Sequence, residues 1–338
     1  DVSLITSAVG KARVQNLSSA ARIFFLDIGK TSDSLHYQSF RDLLMYSWKA
    51  YRFARKLIKN ERIDVVHAFF GVPCGWIAKR LGLPYIVSLR GSDVPGYSKR
   101  MRLLENLGMR RLSAGIWQRA AYTVANSKGL ADLAAKTVPQ QYPIIPNGVD
   151  CETFCPPETD DNNRLEGEPL RLISTGRLIP RKGYDLLIQA LGQEELVLIG
   201  DGPEKQNLMD LAKGKKVVFL GEQPSSVIAK ELRKSDVFVL PSSNEGMSNS
   251  VLEALASGLP VIMTNVGGSK ELLDDNGIIL EERTVSAIQD ALGNIGTADL
   301  AKMSRRSREI AMQFSWKQMA DTYVEMYSSI MNRGNRNE

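Results

Sequence analysis

The feature that most constrains this chain is the alternation, from its first residues to its last, of short runs rich in Val, Ile, Leu and aromatic residues with longer stretches of helical periodicity. Strand runs fall at 2–6, 22–26, 65–69, 85–89 and 122–125, and again at 170–175, 196–199, 216–220, 237–240 and 260–264. Parallel strands need a long crossover, usually a helix, so this rhythm predicts an α/β fold of parallel sheets covered by helices. A chain of 338 residues is too long for a single hydrophobic core, and two domains follow. Residues 146–168, rich in Pro, Asp, Asn and Glu and without periodicity, read as the connection between them. At the far end Phe314, Trp316, Met319, Tyr323, Tyr327 and Ile330 recur at three- and four-residue spacing, which predicts one long amphipathic helix. A doubly wound domain opens with a strand, a Gly-rich turn and a helix, so the run at 2–6 reads as a second strand. The expectation is that a first βα unit of roughly thirty residues precedes Asp1.

Composition narrows the function classes. No run approaches the ~18 apolar residues that a membrane span requires, and no basic-then-apolar export signal opens the chain. Cys74, Cys151 and Cys155 are too few and too scattered for a disulfide framework and read as free thiols in a reducing compartment. Cys151 and Cys155 stand four apart, but His36 and His67 are the only histidines, so no metal site is expected. Charge is divided unevenly: residues 1–150 hold 22 Lys and Arg against 10 Asp and Glu, and residues 151–338 hold 21 against 28. A basic first half fits an anionic membrane surface or nucleic acid, or ordinary solvated helices.

Three segments of the second half carry chemistry. GRLIPRKG (176–183) follows a strand and places Arg177 and Lys182 five apart around a turn, at the carboxyl end of a strand where open α/β sheets bind ligands; two cations there can clamp a diphosphate. By themselves, basic residues in a surface turn are common. IGDGP (199–203) repeats the strand, glycine turn and helix start, with Gly200 and Gly202 permitting close backbone approach, though glycine there is often turn chemistry alone. NEGMSNSVLEALASGLPVI (244–262) sets Glu245 in a polar loop and Glu253 inside an otherwise apolar helix over 250–257. A lone buried carboxylate is costly unless it has a partner. The helix would aim its free N–H groups at the loop, a place suited to phosphate, while Glu253 could accept bonds from two ribose hydroxyls.

In this order the three segments resemble the nucleotide-sugar domain of glycosyltransferase family 4, retaining enzymes of the GT-B architecture with two facing Rossmann-like domains. Glu245 and Glu253 match the family's E-x7-E signature, and Arg177 and Lys182 its diphosphate-binding Arg and Lys. FLGEQ (219–223) resembles the loop that meets the base, DVFVLPS (236–242) the strand before the first glutamate, and IPNGVD (145–150) the entry to the interdomain link. The FSW segment and its helix resemble the closing helix that crosses back to the first domain. LRGSDVPGY (89–97) stands where many members have His-Gly-Ser/Thr-Asp, and Arg90 occupies the histidine position here, which leaves that histidine's role near the donor sugar unassigned.

The resemblance implies a Rossmann-like acceptor domain over 1–147 joined by a C-terminal helix at 317–331, and a nucleotide-sugar domain over 148–316. It implies Glu245, Arg177, Lys182 and Asp93 as catalytic residues. For the donor it implies Glu253, Gly246, Met247, Ser248, Asn249, Ser250, Gly202, Glu222 and Gln223, and for the acceptor Arg90, Ser92 and Asp93. The implied reaction moves a sugar from a nucleoside diphosphate sugar, with UDP the expectation, to a hydroxyl of a lipid-linked or cell-envelope glycan. No Asp-x-Asp motif is present, so neither metal nor cofactor is expected, and cations take up the leaving-group charge. Two mixtures of cations with aromatics suit an anionic membrane surface: Tyr97, Lys99, Arg100, Arg102, Arg110, Arg111, Trp117 and Arg119, and Trp48, Arg52, Arg55, Lys56 and Lys59. A peripheral enzyme at the inner face of the cell membrane, with a polyprenyl-linked acceptor, is the resulting expectation. Two alternatives remain: a non-transferring, epimerase-like enzyme of the same fold, which would need catalytic carboxylates and histidines in the cleft of a chain poor in histidine, and a nucleic-acid-binding module, for which no motif appears and which leaves both glutamates unexplained.

Overall fold

The computed structural model describes residues 1–30, 39–97, 108–157 and 168–334. The chain forms two compact units, one built from Asp1–Val124, Leu133–Pro143 and Met326–Glu338, the other from Ala125–Asp132 and Ile144–Glu325. Its elements are β1 (Val2–Ala8), β2 (Arg13–Asn16), β3 (Ala21–Asp27), α1 (Phe40–Asn60), β4 (Val66–Phe69), α2 (Trp76–Leu81), β5 (Tyr85–Leu89), α3 (Arg110–Trp117), β6 (Tyr122–Ala125) and α4 (Lys128–Ala135). After the connection come β7 (Arg171–Thr175), α5 (Tyr184–Ala190), β8 (Glu195–Ile199), α6 (Lys205–Leu211), β9 (Val217–Gly221), α7 (Ser225–Arg233), β10 (Val237–Leu240), α8 (Asn249–Ala256) and β11 (Val261–Thr264). The chain closes with α9 (Ser269–Leu272), β12 (Gly277–Leu280), α10 (Val285–Gly296), α11 (Leu300–Met312) and α12 (Trp316–Gly334).

The second unit is an α/β domain around one parallel sheet of order β12-β11-β10-β7-β8-β9. The chain starts in the middle at β7, winds outward through β8 and β9, then returns to β10 and winds the other way. The order therefore reverses between β7 and β10, and the crevice outside the carboxyl ends of these two strands is where such sheets accept ligands. Every residue of β10 and β11 is buried, because helices cover both faces of a parallel sheet. Leu172, Ile173, Leu187, Ile188, Phe238 and Leu252 are fully buried in this core.

The first unit has two three-stranded sheets, β1-β3-β2 and β4-β5-β6. β1 pairs with β3, and β4 with β5, in parallel, whereas β2 runs antiparallel to β3. β2 was not expected: its sequence RVQN is exposed at all four positions and has no apolar alternation, so only its pairing makes it a strand. β12 was also missed, since GIIL is a run of four directly after the turn residues of DDNG. The remaining strands lie within a residue or two of the expected runs. Trp117, read as part of a basic surface patch, belongs to the core: it is 1% exposed and packs edge-on to Tyr142 at 6.2 Å. Lys99, Arg100 and Arg102 of the same patch, and His36, lie outside the described residues.

Candidate functional site

The two loops that leave β7 and β10 meet through side chains. After β7 the chain makes a single 3-10 turn, Pro180–Lys182, whose Lys182 is 8% exposed. After β10 it passes through Ser242 to Glu245, also 8% exposed. Lys182 Nζ donates to Glu245 Oε1 at 2.7 Å, and Ser242 Oγ donates to the same oxygen at 2.8 Å. Arg181 donates to the Asn244 carbonyl at 2.9 Å and stands 4.0 Å from Glu245 Oε2. Two buried opposite charges taken out of water need each other, and this pair is bonded on both sides of the switch point. Arg177, by contrast, is exposed and makes no side-chain hydrogen bond or ion pair among the described residues.

The frame behind the pair is backbone and arginine. Arg283 donates from Nε to the Pro241 carbonyl at 2.8 Å and from Nη2 to the Pro180 carbonyl at 3.1 Å, tying the two loops together. Gly267, at φ +55°, lies so close to the Glu245 loop that a Cβ there would come within 2.1 Å of the Glu245 carbonyl, and Gly268 N–H donates to Gly246 O at 2.8 Å. Gly202, at φ +158°, faces the Leu178 carbonyl, 2.4 Å from where a Cβ would sit. Its close approach is thus to the neighbouring loop, which Leu178 N–H to Asp201 O (2.9 Å) and Glu204 N–H to Leu178 O (3.0 Å) lace together.

Helix α8 begins beside Glu245. Val251, Leu252, Ala254, Leu255 and Ala256 are buried and hold it against the sheet, and Gly258, at φ +80°, ends it. Ser248 occupies the N-cap position without a side-chain cap bond; its hydroxyl lies 3.1 Å from the Ser250 hydroxyl. Leu252 N–H is bonded back to Ser248 O at 3.1 Å, and the earlier N–H groups of the turn, at Asn249, Ser250 and Val251, are the ones a helix leaves for another acceptor. Asn147 Nδ2 donates to Met247 O at 3.1 Å and to Asn249 Oδ1 at 2.8 Å, which fixes the approach to the helix. Met247 and Ser248 are each 5% exposed. One turn further in stands Glu253. Its carboxyl is pushed up to about 7 by burial, and among the described residues it has no hydrogen-bond or ion-pair partner. Gln223 turns back on its own loop, donating to Leu220 O at 2.6 Å, and Glu222 is exposed.

The residues expected around an acceptor belong to the first unit. Asp93 is 8% exposed and accepts from Gly71 N–H on Oδ2 (2.7 Å) and from Arg90 and Gly91 N–H on Oδ1 (2.9 and 3.0 Å). Burial pushes its carboxyl up, against the pull of those backbone bonds. Its carboxylate holds the loop after β4 against the turn after β5. Arg90 lays its guanidinium over Phe69, 4.8 Å from the ring centre, and Ser92 is exposed. His67 bridges the Tyr327 hydroxyl (2.6 Å, Nδ1) and the Ser88 hydroxyl (2.7 Å, Nε2), stacked on Phe69 at 4.3 Å; burial, with Arg90 nearby, pushes it down to about 4.

Arg181, Arg283, Ser242 and Asn147 were not singled out in the sequence. Asn147 lies in IPNGVD and Ser242 in DVFVLPS, so both sat in quoted motifs, while nothing around Arg283 in EERT separates it from surface charge.

Comparison with known proteins places the chain among glycosyltransferases. Residues 2–153 match the family described as Glycosyltransferase Family 4, and residues 169–297 match the one described as Glycosyl transferases group 1. A GDP-mannose-dependent alpha-mannosyltransferase of Mycolicibacterium smegmatis is 29% identical over 80% of this chain and 74% of its own length. The UDP-Gal:alpha-D-GlcNAc-diphosphoundecaprenol alpha-1,3-galactosyltransferase of Escherichia coli is 28% identical over 80% of this chain and 77% of its own. Among solved structures, the sucrose-phosphate synthase of Thermosynechococcus elongatus superposes with a TM-score of 0.82 over 98% of this chain and 89% of that one, at 20% identity, which makes the fold GT-B.

Proposed function

The chain belongs to family 4 of the glycosyltransferases and is itself a glycosyltransferase, and from that premise we propose that it moves a sugar from a UDP-sugar to a hydroxyl of a lipid-linked cell-envelope glycan, with retention and without a metal ion. The observation that carries this reading is the unpartnered Glu253 carboxylate on the helix that starts beside the buried Lys182–Glu245 pair. The ribose hydroxyls satisfy Glu253. The diphosphate lies at the N-terminus of α8 and takes Lys182 and the exposed Arg177 as counter-charges. As Lys182 turns to the phosphate, Glu245 is released to accept bonds from hydroxyls of the donor sugar. The acceptor oxygen then bonds to the anomeric carbon on the face from which the diphosphate departs, the bond from that carbon to phosphate oxygen breaks, and the acceptor proton passes to the leaving phosphate. Charge on that phosphate grows toward the transition state, so the two cations act mostly on turnover. Arg90, Ser92 and Asp93 stand on the acceptor side in this reading, with Asp93 shaping the loop.

The name of the Escherichia coli relative supports both uridine and a diphosphate-lipid acceptor, while the mycobacterial relative uses GDP-mannose. The site of action in this reading is the cytoplasmic face of the cell membrane, held there by anionic lipid. Among the described residues no helix is long and apolar enough to cross a membrane. A panel of UDP- and GDP-sugars offered with a polyprenyl-diphosphate glycan, in EDTA, tests the reading. It predicts glycan extension from a UDP-sugar; turnover from GDP-sugars alone, or only on restoring magnesium, contradicts it.

A further inference from the structure

Helix α1 presents one ridge of side chains that the first unit leaves uncovered. Phe40, Leu44 and Trp48 follow each other at four-residue spacing and are 69%, 56% and 55% exposed. The same ridge continues into Arg52 and Lys56, with Arg55 beside them, all exposed. The opposite face carries the buried Ala50 and Ala54, and Phe53 packs on Phe24 at 4.9 Å. At about 1.5 Å per residue the apolar end and the cationic end together run along some 25 Å of helix. The arrangement has a direction: three large apolar side chains first, three cations after. Arg52 lies over the Trp48 ring at 4.9 Å and Arg55 over Tyr51 at 5.8 Å, while none of the three cations is paired with a carboxylate among the described residues. The only acid of the helix, Asp42, is held in the capping box with Ser39.

We propose that this ridge of α1 is a membrane-docking face, with Phe40, Leu44 and Trp48 entering the headgroup boundary of an anionic bilayer and Arg52, Arg55 and Lys56 meeting its phosphates. A soluble apolar partner would leave three cations without counter-charge, and an acidic protein would leave the three apolar side chains in water. A bilayer of anionic lipid supplies both environments within a few ångströms of depth. Tryptophan and cations with long apolar stems suit that boundary, where one end of the side chain is wet and the other is not. The inference deepens the lipid-linked acceptor reading and rests on it for its purpose: the acceptor's lipid would lie in the surface on which the helix rests.

The test uses the full chain and vesicles of phosphatidylcholine with or without phosphatidylglycerol, containing no acceptor. Sedimentation should carry the wild type down with phosphatidylglycerol vesicles at low salt. A Phe40→Ser/Leu44→Ser/Trp48→Ser variant and an Arg52→Glu/Arg55→Glu/Lys56→Glu variant should each bind at least tenfold more weakly, with unchanged circular dichroism. With a water-soluble short-chain acceptor both variants should turn over as the wild type does, while on vesicle-embedded acceptor both should fall. Equal vesicle binding by wild type and variants overturns the proposal, as does a wild type that ignores vesicles but sediments as a dimer that the apolar variant breaks. Vesicle binding as described, with no turnover of any lipid-linked acceptor, keeps the docking face and removes the acceptor reading instead.

Discussion

Strands β10 and β11 of the second unit are buried at every position, whereas β1 is exposed or half-covered at every position but Ala8 and β2 is exposed throughout. The polar residues divide in the same way. In the second unit the polar groups at the strand ends are bonded toward one another across the switch point, as Lys182 is to Glu245, or are left unsatisfied, as Glu253 is. In the first unit the ionisable groups Asp93 and His67 are committed to the fold, Asp93 to three neighbouring loop N–H groups and His67 to Tyr327 and Ser88. The difference teaches that burial alone does not mark a site. A buried charge saturated by backbone is architecture, and a buried charge with a replaceable partner or none is where a ligand fits.

Substitutions on either side can break this contrast. The largest effect is expected at Lys182. Lys182→Ala leaves the Glu245 carboxylate with the Ser242 hydroxyl and, at 4.0 Å, Arg181 as its one cation, so turnover should fall about a thousandfold and stability by about 2–3 kcal/mol, read by product formation and urea unfolding. Adding Glu245→Ala should recover part of the stability and none of the turnover.

Next comes the pH dependence written into Glu253. Its folded carboxyl titrates at about 7 against an ordinary 4.5, so the folded state keeps a proton that the unfolded chain has already lost in between. Stability of the ligand-free protein should therefore fall as pH rises from about 4.5 to 7, by about 3 kcal/mol, and Glu253→Gln should flatten that slope in urea titrations.

Asp93→Asn puts an amide among backbone donors and should lower stability by about 1–3 kcal/mol while leaving the dissociation constant of UDP unchanged. If affinity fell in step with stability, the division between the two units would be lost. The smallest effect is at Arg283, whose guanidinium joins two carbonyls behind the Lys182–Glu245 pair. Arg283→Ala should lower kcat about tenfold with little change in stability, because the loops drift slightly from register.

Much of this is legible in the sequence alone. The alternation of runs placed ten strands, and the spacing of Glu245 and Glu253 placed one acid in a loop and the other on a helix. What stayed hidden depended on distant partners. Lys182 and Arg177 look alike in GRLIPRKG, yet one is buried against a glutamate 63 residues later and the other is exposed. Trp117 looked like a surface aromatic among arginines, because a single aromatic in a basic helix does not reveal which face it takes. β2 has no apolar pattern and exists only as the antiparallel neighbour of β3. Arg283 acts through two carbonyls, which no side-chain motif records.

The central claim is that Glu253 receives the hydroxyls of a nucleotide's ribose. Hydroxyls that donate to a carboxylate favour its charged form, so donor binding should pull this carboxyl down from about 7 and release its proton. Calorimetric titration of a UDP-sugar at pH 6.5, in buffers of different ionisation enthalpy, measures that release directly; the donor's diphosphate has no proton of its own to lose there. The account predicts release of more than half a proton per site in the wild type, none in Glu253→Gln, and a dissociation constant raised at least tenfold in Glu253→Ala. Equal proton release and equal affinity in wild type and both folded variants would contradict it.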